Sequence, residues 1–145
     1  MSTSTMAQPL PAIVSSPPAS SLLASNICVR EAAPDDAPDI YALVTEHVAE
    51  GHLLPRSLEE ISAHVPRFLV AAQDGRVVGC GELAPLSGDV SEIRSLVVGS
   101  DVRGLGLGAE LIERLVQRAI LGGFEKLCAF THVPSYFVLH GFSIV

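Results

Sequence analysis

The first 29 residues carry no charged side chain at all. A secretory signal needs a positive start and a longer apolar stretch than this segment has, and an organelle transit peptide carries arginine. Residues 1–25 are instead rich in Ser, Thr, Ala and Pro, the composition of a disordered leader. Long apolar runs are also lacking: none approaches the ~20 residues that cross a bilayer. Cysteine is scarce and odd in number, with three in all, at positions 28, 80 and 128. They stand far apart, without C-x-x-C or Cys/His ligand spacing, which argues against a disulfide framework and against a zinc site. Free thiols in a reducing compartment fit better, and a cytoplasmic location goes with them. Positive charge is in deficit, at a formal net charge of −7. That balance argues against electrostatic binding of nucleic acid or an anionic membrane.

What is present suits one domain over 26–145 with one core, since 48% of the chain is apolar. Ile27 to Glu31 reads as a short strand. Pro34-Asp35-Asp36 opens a helix, because acidic residues favour its N-terminal end. Ile40, Leu43, Val44, His47 and Val48 recur at helical spacing up to Gly51. Ser57 caps a second helix with Glu60 three residues on, a capping box, and Pro66 stops it. Beyond Phe68 the period falls to two. Phe68 to Ala72 and Arg76 to Leu83 are strands joined by the hairpin turn Asp74-Gly75. A turn over 85–89 leads to a third antiparallel strand, Val90 to Val98. Leu107, Leu111, Leu115 and Ala119 mark the buried stripe of a long helix that Gly122-Gly123 closes. Glu110 and Arg114 pair on its outer face. Lys126 to Thr131 is a strand, Pro134 to His140 a short helix, and Phe142 opens a last strand. This order, β-α-α-β-β-β-α-β-α-β, predicts an α/β (α+β) fold: a mixed, mostly antiparallel sheet flanked by helices.

Between the third antiparallel strand and the long helix stands Arg103-Gly104-Leu105-Gly106-Leu107-Gly108, followed by Ala109. Glycines without Cβ atoms let backbone N–H groups close on a bulky anion. The helix start adds free N–H groups and the positive end of its dipole. Arg103 adds a charge-assisted contact. A Walker A loop needs Gly-Lys-Ser/Thr, which Ala109 breaks, and a dinucleotide fingerprint needs a parallel βαβ unit. Taken alone, the segment also reads as a flexible turn with no ligand; the flanking strand and helix favour a phosphate loop.

Arg103 to Gly108 matches R/Q-x-x-G-x-G/A, and the chain resembles the GNAT acetyltransferases, whose element order is similar from Ile27 to Phe142. Within them it is most similar to the acetyltransferase domain of the N-acetylglutamate synthases. The segments that carry this are Glu50 to Glu60 (EGHLLPRSLEE), Asp74 to Gly81 (DGRVVGCG), Glu92 to Val98 (EIRSLVV), Thr131 to Pro134, and Gly141-Phe142. The resemblance implies a sheet whose two central strands splay at a bulge. It implies acetyl-CoA as co-substrate and no metal. The pantetheine arm would pair with the backbone of Leu96, Val97 and Val98, and Arg103, Gly104, Leu105, Gly106, Leu107, Gly108 and Ala109 would hold the pyrophosphate. The acceptor it implies is the α-amine of L-glutamate, in the first step of arginine biosynthesis; a homodimer is left open.

Acetyl transfer to an amine needs a base for the ammonium, donors for the oxyanion and a proton for the departing thiolate. Glu92 is the first candidate base, by its place on the central strand and by the resemblance; the bland alternative is a strand Glu paired with Arg94. Glu82 is the second candidate. Arg56, in a loop after Pro55, suits bidentate grip of a substrate carboxylate, and Arg94 is a weaker candidate for the same task. Otherwise Arg56 is a solvated surface arginine. Thr131 resembles a hydroxyl position near the acetyl group. For the thiolate acid the resemblance points near Tyr136, although the usual tyrosine position aligns better with Phe137. His140 reads as structural. The chain stops at Val145, where the resembling fold continues with a further strand, so the final strand is expected to be missing. Two other functions stay open: a GNAT enzyme for another small amine or a protein amine, and an acetyl-CoA-binding module without catalysis.

Overall fold

The computed structural model describes residues 4–10, 26–49, 53–131, 137–139 and 141–144. Ten elements follow in chain order: β1 (Ser4–Pro9), β2 (Ile27–Glu31), α1 (Ala37–Val48), α2 (Leu58–Ala63), β3 (Phe68–Gln73), β4 (Arg76–Pro85), β5 (Val90–Val98), α3 (Leu107–Leu121), β6 (Lys126–Thr131) and β7 (Ser143–Ile144). The seven strands form one sheet in the order β2-β3-β4-β5-β6-β1-β7. Among the described residues only β5 and β6 pair in parallel; every other neighbouring pair is antiparallel.

Local chemistry explains most of these elements. Arg30 clamps the start of α1 by donating to both carboxylate oxygens of Asp36, at 2.7 and 3.1 Å, while Asp36 also accepts from the Ala33 N–H. Ser57 and Glu60 form the expected capping box on α2: Glu60 N–H donates to Ser57 Oγ at 3.1 Å and Ser57 N–H to Glu60 Oε1 at 3.3 Å. Asp74 and Gly75 both take positive φ, as the tight β3–β4 hairpin requires. Glu110 accepts from Arg114 one turn later at 3.0 Å.

Alternation along the strands sends side chains to two cores. On one face, Leu69, Ala71, Val78, Leu83, Ile93, Leu127 and Ala129 meet Leu107, Leu111, Leu115 and Ala119 of α3. On the other, Phe68, Val70, Val77, Cys80 and Val97 meet Ile40 and Val44 of α1 and Ile61 of α2. Each fully buried Leu or Ile contributes about 1.5–3 kcal/mol of transfer free energy. Helix α3 sits so close to β4 that a Cβ at Gly81 would come within 2.8 Å of Leu115.

The leader expectation needs correction at its start. Ser4–Pro9 is a strand, inserted between β6 and β7 and paired with both. Met6 is fully buried there, and Leu10 packs against the α3-side core. An uncharged segment can be enclosed on both edges of a sheet without burying a charge, which is why the composition that suggested disorder also suits this strand. Residues 11–25 lie outside the described residues, as does most of the short helix expected over 134–140.

Candidate active site

A bulge builds the site. The register of β4 against β5 shifts between Cys80–Val97 and Glu82–Arg94, so one β4 residue faces two on β5. Ser95 turns the strand there with a φ of 50°. The shift reverses the alternation: Ile93 faces the α3 core, but beyond the bulge Val97 faces α1 and Leu96 faces α3. Beyond it, β5 leaves β6: their parallel pairing covers only Val90 to Ile93 against Lys126 to Ala129. The residues expected to meet pantetheine, Leu96, Val97 and Val98, therefore lie on the diverging half of β5. Val98 O accepts from Arg103 Nε at 3.3 Å.

The glycine loop leads from β5 into α3. A 3-10 turn over Ser100–Val102 comes first, with Val102 buried. Gly104 and Gly106 then adopt φ of 85° and 78°, the left-handed region that a side chain disfavours. A Cβ on either would meet no atom within 4 Å, so the glycines serve backbone conformation and leave open space outside. Gly106 is the N-cap, and the first intrahelical bond runs from Glu110 N–H to its carbonyl. The N–H groups of Leu107, Gly108 and Ala109 thus have no acceptor within the helix and face its positive end. Leu105 is exposed and Leu107 buried. This cradle fits a pyrophosphate: it offers donors, positive potential and room.

On the α1/α2 side of the sheet, the bulge gathers charge. Glu82 is fully buried; its Oε1 accepts from Arg56 Nη1 at 2.8 Å, and Arg67 Nη1 lies 4.0 Å from Oε2. Arg56 Nη1 also donates to Ser95 Oγ at 3.0 Å. Burial works against the Arg56 charge, but the bond and charge of Glu82 outweigh it and push the guanidinium pKa up. Arg94 stands directly across from Glu82 in the register. Glu92 shares that face and is nearly buried; Arg94 Nε donates to its Oε1. Their parity survives because the bulge begins after Arg94. Glu92 is in turn aligned with Cys128 of β6 and Ala84 of β4. Burial, with the Glu92 charge, pushes the Cys128 thiol up. Burial, with the Glu82 charge, pushes the Cys80 thiol up to about 12.

The structure thus brings Arg56, Glu82, Glu92 and Arg94 onto one face. Thr131 ends β6, with its backbone paired to Ser4. Tyr136 and His140 lie outside the described residues, while Phe137 packs edge-on against Phe142 at a centroid distance of 5.2 Å. Sequence reasoning missed Ser95, whose positive φ no local pattern announces, and Arg67, which follows Pro66 and lies 15 positions from Glu82. It also missed His47 as a partner of the loop: His47 Nε2 lies 2.9 Å from Arg103 Nη2. Its helical spacing marked only a core position. Among the described residues no cluster could hold a metal ion, and no helix is long and apolar enough to cross a membrane.

Comparison with known proteins agrees with this geometry. The model of the acetyltransferase (GNAT) family matches residues 34–141. An uncharacterized N-acetyltransferase of Chlorobaculum tepidum is 38% identical over 119 residues, covering 82% of this chain and 77% of that protein. An amino-acid acetyltransferase of Mycobacterium tuberculosis is 34% identical over 118 residues, covering 79% of this chain and 67% of its own length. The solved N-acetylglutamate synthase of Neisseria gonorrhoeae, complexed with coenzyme A and N-acetyl-glutamate, superposes with a TM-score of 0.76 at 29% identity. That match covers 81% of this chain but only 28% of the larger protein.

Proposed function

The chain belongs to the acetyltransferase (GNAT) family, with acetyl-CoA as its co-substrate, and on that premise we propose that it acetylates the α-amine of L-glutamate. The observation that carries this reading is the pair of arginines around Glu82: Arg56 bonded to it and Arg94 across from it in the register. An amino dicarboxylate has two carboxylates to neutralise, and guanidinium groups bind carboxylates with geometric specificity. The names of the amino-acid acetyltransferase relatives support the same acceptor class. In this reading Arg56 and Arg94 take the two carboxylates and Arg94 loosens its hold on Glu92. Glu92 then accepts the proton of the ammonium. Arg103 and the N–H groups of 106–109 hold the pyrophosphate, and the backbone of 96–98 aligns the thioester arm. Holding both substrates together removes any need for a covalent enzyme intermediate. The raised pKa values of Cys80 and Cys128 agree with that, since neither thiol supplies a thiolate readily. Thr131 and Tyr136 remain proposed for the acetyl pocket and for protonation of the leaving thiolate.

The test is thiol release from acetyl-CoA with glutamate, glutamine and a lysine peptide offered in parallel. Turnover with glutamate ahead of the others is expected. Turnover with another amine and none with glutamate would replace the acceptor and leave the family chemistry intact. Glu92→Gln is expected to lower kcat by about 10²–10⁴-fold with cofactor affinity unchanged; a full-rate variant would remove Glu92 from the role of base.

A further inference from the structure

His47 occupies the last turn of α1 and is buried, with an exposure of 6%. Its Nδ1 lies 2.9 Å from Leu43 O, one turn back. A carbonyl only accepts, so Nδ1 carries the proton of that bond. The other nitrogen, Nε2, lies 2.9 Å from Arg103 Nη2. A guanidinium only donates, so Nε2 must offer its lone pair. One tautomer meets both demands: the neutral imidazole protonated at Nδ1. The bond to Leu43 fixes that tautomer, much as an outer partner fixes a metal-bound histidine. Arg103 is held a second time, through Nε–H to Val98 O at 3.3 Å. Its guanidinium is therefore suspended between α1 and the end of β5, at the mouth of the glycine loop.

We propose that His47 is a positioning residue for the cofactor: the Leu43–His47–Arg103 chain of hydrogen bonds holds the guanidinium where the pyrophosphate docks. An arginine side chain on an exposed loop loses rotamer freedom when it binds an anion. A fixed acceptor on a packed helix bears part of that cost beforehand, which is preorganisation. The neutral ring accepts from the guanidinium without setting a second positive charge beside it. This inference rests on the assignment of Arg103 to Ala109 as the pyrophosphate loop, and the experiment separates the two.

Acetyl-CoA affinity is measured by calorimetry on the whole chain, together with KM and kcat, for His47→Leu, His47→Gln, Arg103→Ala and the double variant His47→Leu/Arg103→Ala. His47→Leu is expected to weaken cofactor binding and raise its KM about tenfold, or about 1.4 kcal/mol, while kcat at saturating cofactor changes little. His47→Gln is expected to recover most of the affinity, since an amide can donate to Leu43 O and accept from Arg103. In the Arg103→Ala background the His47 change is expected to cost nothing further. An equal loss in His47→Leu with and without Arg103 overturns the proposal, because it marks a packing defect. Equal loss in the Leu and Gln variants overturns it also. Gly106→Val identifies failure of the underlying loop assignment: unchanged affinity there refutes the loop, whereas weakened affinity there beside an unaffected His47→Leu refutes His47 alone.

Discussion

Glu82 has no solvent exposure, and Arg56 is its hydrogen-bonded cation at 2.8 Å, with Arg67 at 4.0 Å. The two residues have coupled duties. Arg56→Leu leaves a buried carboxylate without its hydrogen-bonded partner, which costs about 3–5 kcal/mol, so thermal unfolding should show a large loss of stability beside any loss of activity. Glu82→Gln in the same background removes the orphaned charge and is expected to recover part of that stability. If Arg56→Leu unfolds like the parent protein, the pair carries no structural weight. The Arg30–Asp36 clamp makes a pH prediction. The hydrogen bond from Arg30, opposed by burial and aided by the Ala33 N–H, lowers the Asp36 pKa below the ordinary carboxylate value. A carboxyl depressed in the folded state stabilises above its unfolded pKa and loses that contribution as pH falls through its folded value. Asp36→Asn should therefore flatten the acid limb of a stability-versus-pH curve; an unchanged limb would contradict the clamp. At this scale much was legible. Glu82, Glu92 and Arg94 could be named from residue type and place on a strand, Arg56 from its loop before a helix cap, and the Glu92–Arg94 pair from its spacing, but the partner of Arg56 could not. Arg56 and Glu82 are 26 positions apart, and nothing local couples them.

Among the elements, α2, the β3–β4 hairpin and α3 announced themselves, since caps, turn residues and apolar spacing act over four residues or fewer. Strand β1 did not. Its six residues have no strong period of two, and a strand of that length holds only if others flank it. Here it is central: Met6 and Ala7 pair with β6 on one side and β7 on the other. Ala7→Pro removes a ladder hydrogen bond whichever edge its N–H serves, and should expose β6 and lower the unfolding midpoint. Met6→Ala empties a fully buried site and should cost about 2–5 kcal/mol. A chain lacking residues 1–10 that retains parental stability would show β1 to be dispensable. The bulge at Ser95 was expected from the resemblance, but which residue would turn was not, because a positive φ at serine follows from the mismatch of two registers.

Over the whole molecule, a chain of net charge −7 has to bind a polyanionic co-substrate. Long-range attraction does not help it, so in the proposed reading affinity depends on donors at contact distance in the loop and the first turn of α3. Coenzyme A that binds only the folded state should stabilise it by about 2.7 kcal/mol at a hundredfold excess over Kd, read as a rise in Tm. No rise in Tm would remove the cofactor site. The sequence by itself determined the glycine loop, the helix that follows it, the family and the charged residues that meet at the β4–β5 bulge, because each is written in neighbouring residues or in residue type. Only the tertiary structure decided that Ser4–Pro9 fills the sheet between β6 and β7 and that Arg56 neutralises Glu82. It alone brought His47 to Arg103 across 56 positions. Those contacts arise where strand registers and helix packing bring distant segments together, and no window along the chain contains both partners.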